Sequence, residues 1–209
     1  MTLSNERDGE YGPPMEFRVL GSLEVLERGG RVPLGGQKQR LVLAHLLIHA
    51  NRLVPTDALI EDIWGDEPPD AARSALQAYV SRLRKLLGPD RLEGRPPGYV
   101  LHAEPEEVDA VRFEGLVHDA RERLGADPKT SAGLLDRALL LWRGAPLADL
   151  SDSPALRPEM ARLEELHLGA LEDRMEAALA LGGPAERTSR RSPPRRYRIT
   201  RYAPSGSRQ

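Results

Sequence analysis

Between Ala71 and Pro89 the chain carries four cationic side chains, Arg73, Arg82, Arg84 and Lys85, and no carboxylate. Surface helices ordinarily mix their signs, because Glu–Lys pairs one turn apart add about 0.2–0.5 kcal/mol. The stretch ALQAYVSRLRKLLG does not. Winding it at about 100° per residue puts Leu76, Tyr79, Val80, Leu83, Leu86 and Leu87 on one side. Ser74, Ala78, Ser81 and Lys85 then point nearly opposite, with Gln77 and Arg84 along one edge of that stripe and Arg82 along the other. A face that is small at its centre and donor-rich at its edges suits a helix entering the major groove of DNA. Small side chains permit close approach, Arg takes guanine through two hydrogen bonds, Gln takes adenine, and Lys neutralises phosphate. A carboxylate there would repel the backbone. The competing reading is a solvated cationic face with no partner, and the neighbouring elements bear on the choice.

Residues 1–14 are polar and are expected to be disordered. MEFRVLGSLEVLERGGRVPLGG, from Met15, reads as short strands with Phe17, Val19, Leu23, Val25 and Val32 as the apolar members and glycine pairs between them. A helix is expected over Gln37 to Ala50, and a second from Pro55-Thr56, read as a good N-cap, to a stop at Gly65. Its buried side is Leu59, Ile60, Ile63 and Trp64. The basic helix follows the acidic turn DEPPD and ends at Gly88-Pro89-Asp90. Next, RLEGRPPGYVLHA reads as a hairpin whose arms, Leu92 and Tyr99-Val100-Leu101, flank a tip stiffened by Pro96 and Pro97. Arg95 at that tip is placed to reach an adjacent minor groove or backbone. Three helices, the last one basic, and then a hairpin form the winged variant of helix-turn-helix architecture. That order favours DNA binding.

Beyond Glu104 the pattern becomes acidic helices. Asp109 is read as the cap of a helix to Leu124, followed by helices over Pro128 to Trp142 and Pro154 to Leu181. From Gly182 the periodicity collapses into a segment rich in Arg, Pro and Ser, expected to be disordered. The domains predicted are therefore 1–14, a winged-helix domain over 15–103, a helical domain over 104–183 and a basic tail over 184–209. The fold class is α+β followed by all-α.

The net charge of −2 hides how the charges are distributed. Lys plus Arg against Asp plus Glu is 9 to 8 over 36–100, 9 to 17 over 101–183 and 8 to 1 over 184–209. A pI of 6.2 for the whole chain therefore does not speak against a nucleic-acid partner. The absence of cysteine excludes disulfides, thiolate zinc sites and a thiol nucleophile, and fits a reducing, cytoplasmic compartment. The N-terminus lacks the apolar core of a signal peptide, and the most apolar run, Leu41 to Ala50, falls short of the roughly twenty residues a membrane span needs. His45 and His49 share the four-residue spacing of zinc enzymes, but Leu46 stands where such a motif has its glutamate and no third ligand is evident. No phosphate-cradling glycine loop or nucleophile motif occurs. Neither a cofactor nor an enzymatic activity is expected.

PLGGQKQRLVLAHLLIHANRLVPTDALIEDIWGDEPPDAARSALQAYVSRLRKLLG together with RPPGYVL closely resembles the Streptomyces antibiotic regulatory protein family, whose DNA-binding domain is of the OmpR/PhoB winged-helix type. VDAVRFEGLVHDARERL, ALLLWRGAPLADL and ARLEELHLGALEDRMEAALALG resemble the first half of that family's bacterial transcriptional activator domain, a TPR-like helical unit. The resemblance covers residues 15–183. It implies groove and phosphate contacts by Arg82, Arg84 and Lys85, a wing contact by Arg95, and a position near the DNA backbone for Trp64. Arg73, Ser74, Gln77, Ala78 and Ser81 complete the candidate interface. It further implies binding to direct repeats in a promoter, a homodimer on DNA, recruitment of RNA polymerase and control of an antibiotic biosynthesis cluster. In the family the activator domain continues through further helices. An incomplete helical domain here would leave Leu171, Met175 and Leu179 partly exposed or at a self-association contact.

Two rival readings remain: a protein-interaction module or competitor built on the helical half, and a metalloenzyme using His45 and His49. The tail carries eight arginines against Glu186 alone, so it offers non-specific nucleic-acid affinity and little apolar surface to bury. Deleting residues 184–209 is expected to leave specific DNA binding intact while lowering the non-specific component. Limited proteolysis followed by a mobility-shift assay reads both effects, and loss of specific binding would overturn the expectation.

Overall fold

The computed structural model describes residues 15–182, so both polar ends considered above lie outside the described residues. Strands β1 (Met15–Arg18), β2 (Glu24–Glu27) and β3 (Gly30–Arg31) form an antiparallel sheet in chain order. Arg28 and Gly29, at φ of 49° and 81°, make the tight β2–β3 turn, which requires left-handed backbone at both positions. Helix α1 (Gln37–Ile48), α2 (Thr56–Trp64) and α3 (Ala72–Leu87) follow, and the hairpin β5 (Leu92–Arg95) and β6 (Gly98–Leu101) closes the first domain. Between α1 and α2 a two-residue strand, β4 (Val54–Pro55), pairs with β6, giving a second sheet in the order β4-β6-β5.

The core faces follow the apolar periodicity. Leu76, Val80, Leu83 and Leu87 of α3 are buried, as are Val42, Leu43, Leu46 and Leu47 of α1 and Leu59 and Ile63 of α2. The wing is set by steric necessity as well as by hydrogen bonds. A Cβ on Gly98 would stand 1.9 Å from the Val54 carbonyl oxygen, so only glycine lets β6 close against β4.

The second domain is an antiparallel series of helices, α4 (Asp109–Arg123), α5 (Pro128–Leu139) and α6 (Arg157–Leu181). Phe113, Val117 and Ala120 of α4, Leu135 and Ala138 of α5, and Leu163 and Ala170 of α6 are buried between them. The far side of α6 is open: Leu168, Leu171, Met175 and Leu179 are exposed, as expected for the last three. The two domains share one continuous apolar core, running from Met15 and Phe17 through Leu150, Leu156 and Leu163.

Several boundaries differ from the sequence expectation, for local reasons. Helix α1 stops at Ile48 because Asn51 turns left-handed (φ 63°) and its side-chain amide exchanges two hydrogen bonds with Ala103, at 2.7 and 3.2 Å. Thr56 is not an N-cap; Pro55 occupies that position, without a side-chain cap, because it also ends β4. Helix α5 ends at Leu139, three residues early, and Trp142 leaves the helix to stack on His167 at 3.9 Å with Phe113 edge-on at 5.5 Å.

The largest difference concerns Asp109. Val108 takes the N-cap position of α4, and the Asp109 carboxylate reaches into the first domain instead. It accepts hydrogen bonds from the backbone N–H of Val19 at 2.7 Å and of Leu20 at 3.1 Å, with the Arg143 guanidinium 3.6 Å away. Burial pushes this carboxyl above its usual range, against the pull of those two amides and of Arg143. The loop after α5 completes the junction: the N–H groups of Arg143, Leu147 and Ala148 donate to the carbonyls of Leu20, Val19 and Gly21. Asp149 accepts from Leu23 N–H at 2.7 Å and from Arg40. Asp109→Ala would strand two buried N–H donors and is expected to cost roughly 3 kcal/mol, read by urea unfolding of the full chain.

The paired histidines do not converge. His45 is buried with its Nδ1 3.3 Å from an Asp62 carboxylate oxygen, whereas His49 is exposed, and among the described residues no group of three His, Cys, Asp or Glu could hold a metal ion. Burial lowers the His45 pKa, with Asp62 pulling against the shift and His49 adding to it. The unfolded chain therefore takes up this proton first, so stability is full above about pH 6.5 and falls as pH drops toward the depressed folded value. Unfolding curves at pH 7.5 and 5.5 should show a larger loss of stability for the wild type than for His45→Gln.

Candidate nucleic-acid interface

Helix α3 forms without a side-chain cap, and Gly88 at φ 102° ends it by taking a conformation that L-residues avoid. Its solvent side is the stripe read from the sequence. Arg73, Ser74, Gln77, Ala78, Ser81, Arg82 and Lys85 are all exposed, and the turn of chain that precedes them is short and open. Arg82, Lys85 and Arg95 are cationic and have no carboxylate partner among the described residues. A cation held out in water without a partner keeps its full donor capacity for an anionic ligand.

Two of the candidate residues near the start of α3 are already engaged. The Arg73 guanidinium meets Asp57, in the first turn of α2, at 2.5 Å, with both side chains largely exposed. Such a pair adds little to stability, about 0–1 kcal/mol, and is readily exchanged for a phosphate. Ser74 Oγ donates to the Ala71 carbonyl at 2.9 Å, which leaves its lone pairs and small volume on the stripe.

Two residues stand elsewhere than the sequence reading placed them. Arg84 is half-buried, and its Nε donates to the Leu92 carbonyl of β5 at 2.8 Å, so its guanidinium faces the wing rather than the open stripe. The cause is helical geometry: the edge of α3 that carries Arg84 is the edge against which β5 packs. Trp64 is also half-buried. Its ring lies against Tyr79 at 6.4 Å, and Lys38 Nζ sits 4.8 Å from the ring centroid while also donating to the Ile63 carbonyl. It lines an open cleft of about 630 Å³ between α1, the end of α2 and Asp152–Ala155 of the second domain. This is the packing role that a plain core tryptophan fills, and it does not bring the ring onto the α3 stripe.

The hairpin turn is tighter than expected. The arms run through Arg95 and Gly98, which pair directly, so Pro96 and Pro97 alone form the turn, and Arg95 ends a strand instead of riding on the tip. Thr56 N–H donates to the Pro97 carbonyl at 3.0 Å and joins the turn to the start of α2. As a result Thr56, Arg73, Arg95 and Tyr99 line one shallow groove of about 380 Å³ between α3 and the wing. Thr56 and Tyr99 were not among the sequence candidates. What brings them there is β4, a strand of two residues that carries no periodicity of its own.

Comparison with known proteins agrees with this geometry. Residues 30–101 match the family model described as transcriptional regulatory protein, C terminal, and residues 108–192 match the bacterial transcriptional activator domain. The chain is 37% identical over 186 residues to the transcriptional regulator RedD of Streptomyces coelicolor, covering 84% of this chain and 53% of that protein. It is 35% identical over 182 residues to the regulatory protein DnrI of Streptomyces peucetius, covering 80% and 66% respectively. Among solved structures, Mycobacterium tuberculosis EmbR in complex with a low affinity phosphopeptide superimposes with a TM-score of 0.78 at 38% identity, over 81% of this chain and 46% of that one. The chain thus spans about half to two thirds of the length of these relatives. The names of these relatives are those of regulatory proteins. With both domain models matched in order and the winged-helix and helical domains superimposing together, the chain belongs to the Streptomyces antibiotic regulatory protein family.

Proposed function

We propose that this chain is a cytoplasmic, sequence-specific DNA-binding regulator of transcription that reads the major groove with α3 and touches the adjacent minor groove or backbone with the wing. The observation that carries the reading is the exposed, carboxylate-free stripe of α3 lying beside a wing that ends in Arg95. Arg82 would take a guanine edge and Gln77 an adenine edge, while Ser74, Ala78 and Ser81 allow the helix close to the bases. Lys85 and Arg73 would neutralise phosphates, with Arg73 exchanging Asp57 for the backbone. Trp64 has no part in this interface. By membership of its family, the chain would act as an activator at promoter direct repeats, as a homodimer on DNA, recruiting RNA polymerase to a secondary-metabolite cluster. No helix among the described residues is long and apolar enough to cross a membrane.

A protein-interaction role for the helical domain has one observation in its favour, the exposed side chains Leu168, Leu171, Met175 and Leu179 along α6. It is compatible with DNA binding by the first domain.

Selection of bound duplexes from a random pool, followed by salt-titrated mobility shifts, tests the main reading. Recovery of no common sequence would overturn it. With the recovered duplex, Arg82→Ala is expected to weaken binding by roughly 1–3 kcal/mol and to relax preference at one base pair. Lys85→Ala is expected to weaken all sequences alike and to flatten the salt dependence by about one phosphate contact. Equal loss of preference at every base from both changes would refute this division of roles.

A further inference from the structure

The recognition helix and the wing can read DNA together only if the angle between them is held. Three features hold the hairpin on sides other than α3. Gly98 closes against Val54, Thr56 N–H donates to the Pro97 carbonyl, and the buried Arg91 at the base of β5 is gripped by Glu107 through two hydrogen bonds of 2.6 Å. Toward α3, the guanidinium of Arg84 reaches across. Its Nε bonds the Leu92 carbonyl at 2.8 Å, and its Nη2 lies 3.4 Å from where a Cβ on Gly94 would stand. The guanidinium therefore sits beside the glycine, one residue before Arg95.

We infer that Arg84 is a positioning residue that sets the angle of the wing against α3, and that it contributes to DNA binding through Arg95 and not through a contact of its own. This rests on the DNA-binding reading above. Arg95 stands about 10 Å along the strand from Leu92, so a rotation of roughly 15° at the base moves it about 2.5 Å. Hydrogen bonds weaken steeply beyond about 3.2 Å, so a displacement of that size separates the wing from its groove. Lysine at position 84 would keep the charge. It has no Nε to bond Leu92 and no guanidinium to place beside Gly94.

The test uses the full chain and the duplex recovered by the wild type from the random pool. Wild type, R84K, R84A, R95A and R84K/R95A are compared by shift assay and hydroxyl-radical footprinting, at a temperature where circular dichroism shows each to be folded. R95A is expected to bind roughly tenfold more weakly. R84K is expected to show a similar loss, with protection at the wing's contact gone and protection under α3 retained. The double variant should bind within about twofold of R95A alone, since residues acting through one contact are not additive. R84K carries the test if R84A does not fold. Wild-type affinity in R84K would mean that charge at position 84 suffices, and would overturn the inference. So would losses that multiply to roughly a hundredfold in the double variant, because they would mark an independent contact. Unfolding of R84K would overturn it too, by making Arg84 a stability residue. Recovery of no duplex by the wild type is a separate result, which removes the DNA-binding reading itself.

Discussion

The buried carboxylate of Asp109 joins the two halves of the molecule. It lies at the first turn of α4, yet its hydrogen bonds go to Val19 and Leu20 at the end of β1, some ninety residues earlier. A segment whose N–H groups point inward must find acceptors, because a buried amide without one costs about 1–3 kcal/mol. The β1–β2 connection meets that requirement through the second domain: Asp109 and Asp149 accept from it on one side, and Arg143, Leu147 and Ala148 donate to it on the other. Leu147 takes a left-handed conformation (φ 49°) and is fully buried where its N–H donates to Val19. The first sheet is therefore incomplete without the helical domain, and the core runs unbroken across the boundary.

That junction leaves the side of the molecule formed by α3 and the wing uncovered. The first sheet and the loop after α5 lie on the part of the winged-helix domain that faces α4 to α6, while α3 and the wing form the groove lined by Thr56, Arg73, Arg95 and Tyr99. Glu107 connects the two regions. Its carboxylate accepts from Met15 N–H at the start of β1 and from the guanidinium of Arg91 at the base of the wing. Arg91 and the backbone donors outweigh the burial of Glu107 and hold its carboxyl below its usual range. One linker residue thus fixes the base of the wing to the sheet that the helical domain completes.

The comparison between sequence and structure turns on range. The face of α3 could be read from the spacing of Leu76, Val80, Leu83 and Leu87, because helical periodicity is local and survives any change of neighbour. The same holds for the stop at Gly88 and the punctuation around Gly29-Gly30. Sequence and structure part where a side chain's partner lies outside its own helix. Asp109 looked like a cap because Asp before an apolar helix usually is one, and Arg84 was placed along an edge of the open stripe because its winding angle puts it there, whereas its guanidinium bonds Leu92. In each case a donor or acceptor beyond the helix outcompeted the local rule.

By itself the sequence determined where the helices lie to within a few residues, which face of each is apolar, and that one of them is cationic without a single acid. Those properties depend on covalent order and on a period of 3.6 residues, so they need no knowledge of what packs where. Only the tertiary structure decided what each cation is free to do. Arg82, Lys85 and Arg95 stay in water, Arg73 is lent to Asp57, Arg84 is turned to the wing and Arg91 is buried against Glu107. The reason is that a guanidinium is long, flexible and rich in donors, so its position is set by the nearest acceptor in space, and that acceptor is supplied by the fold.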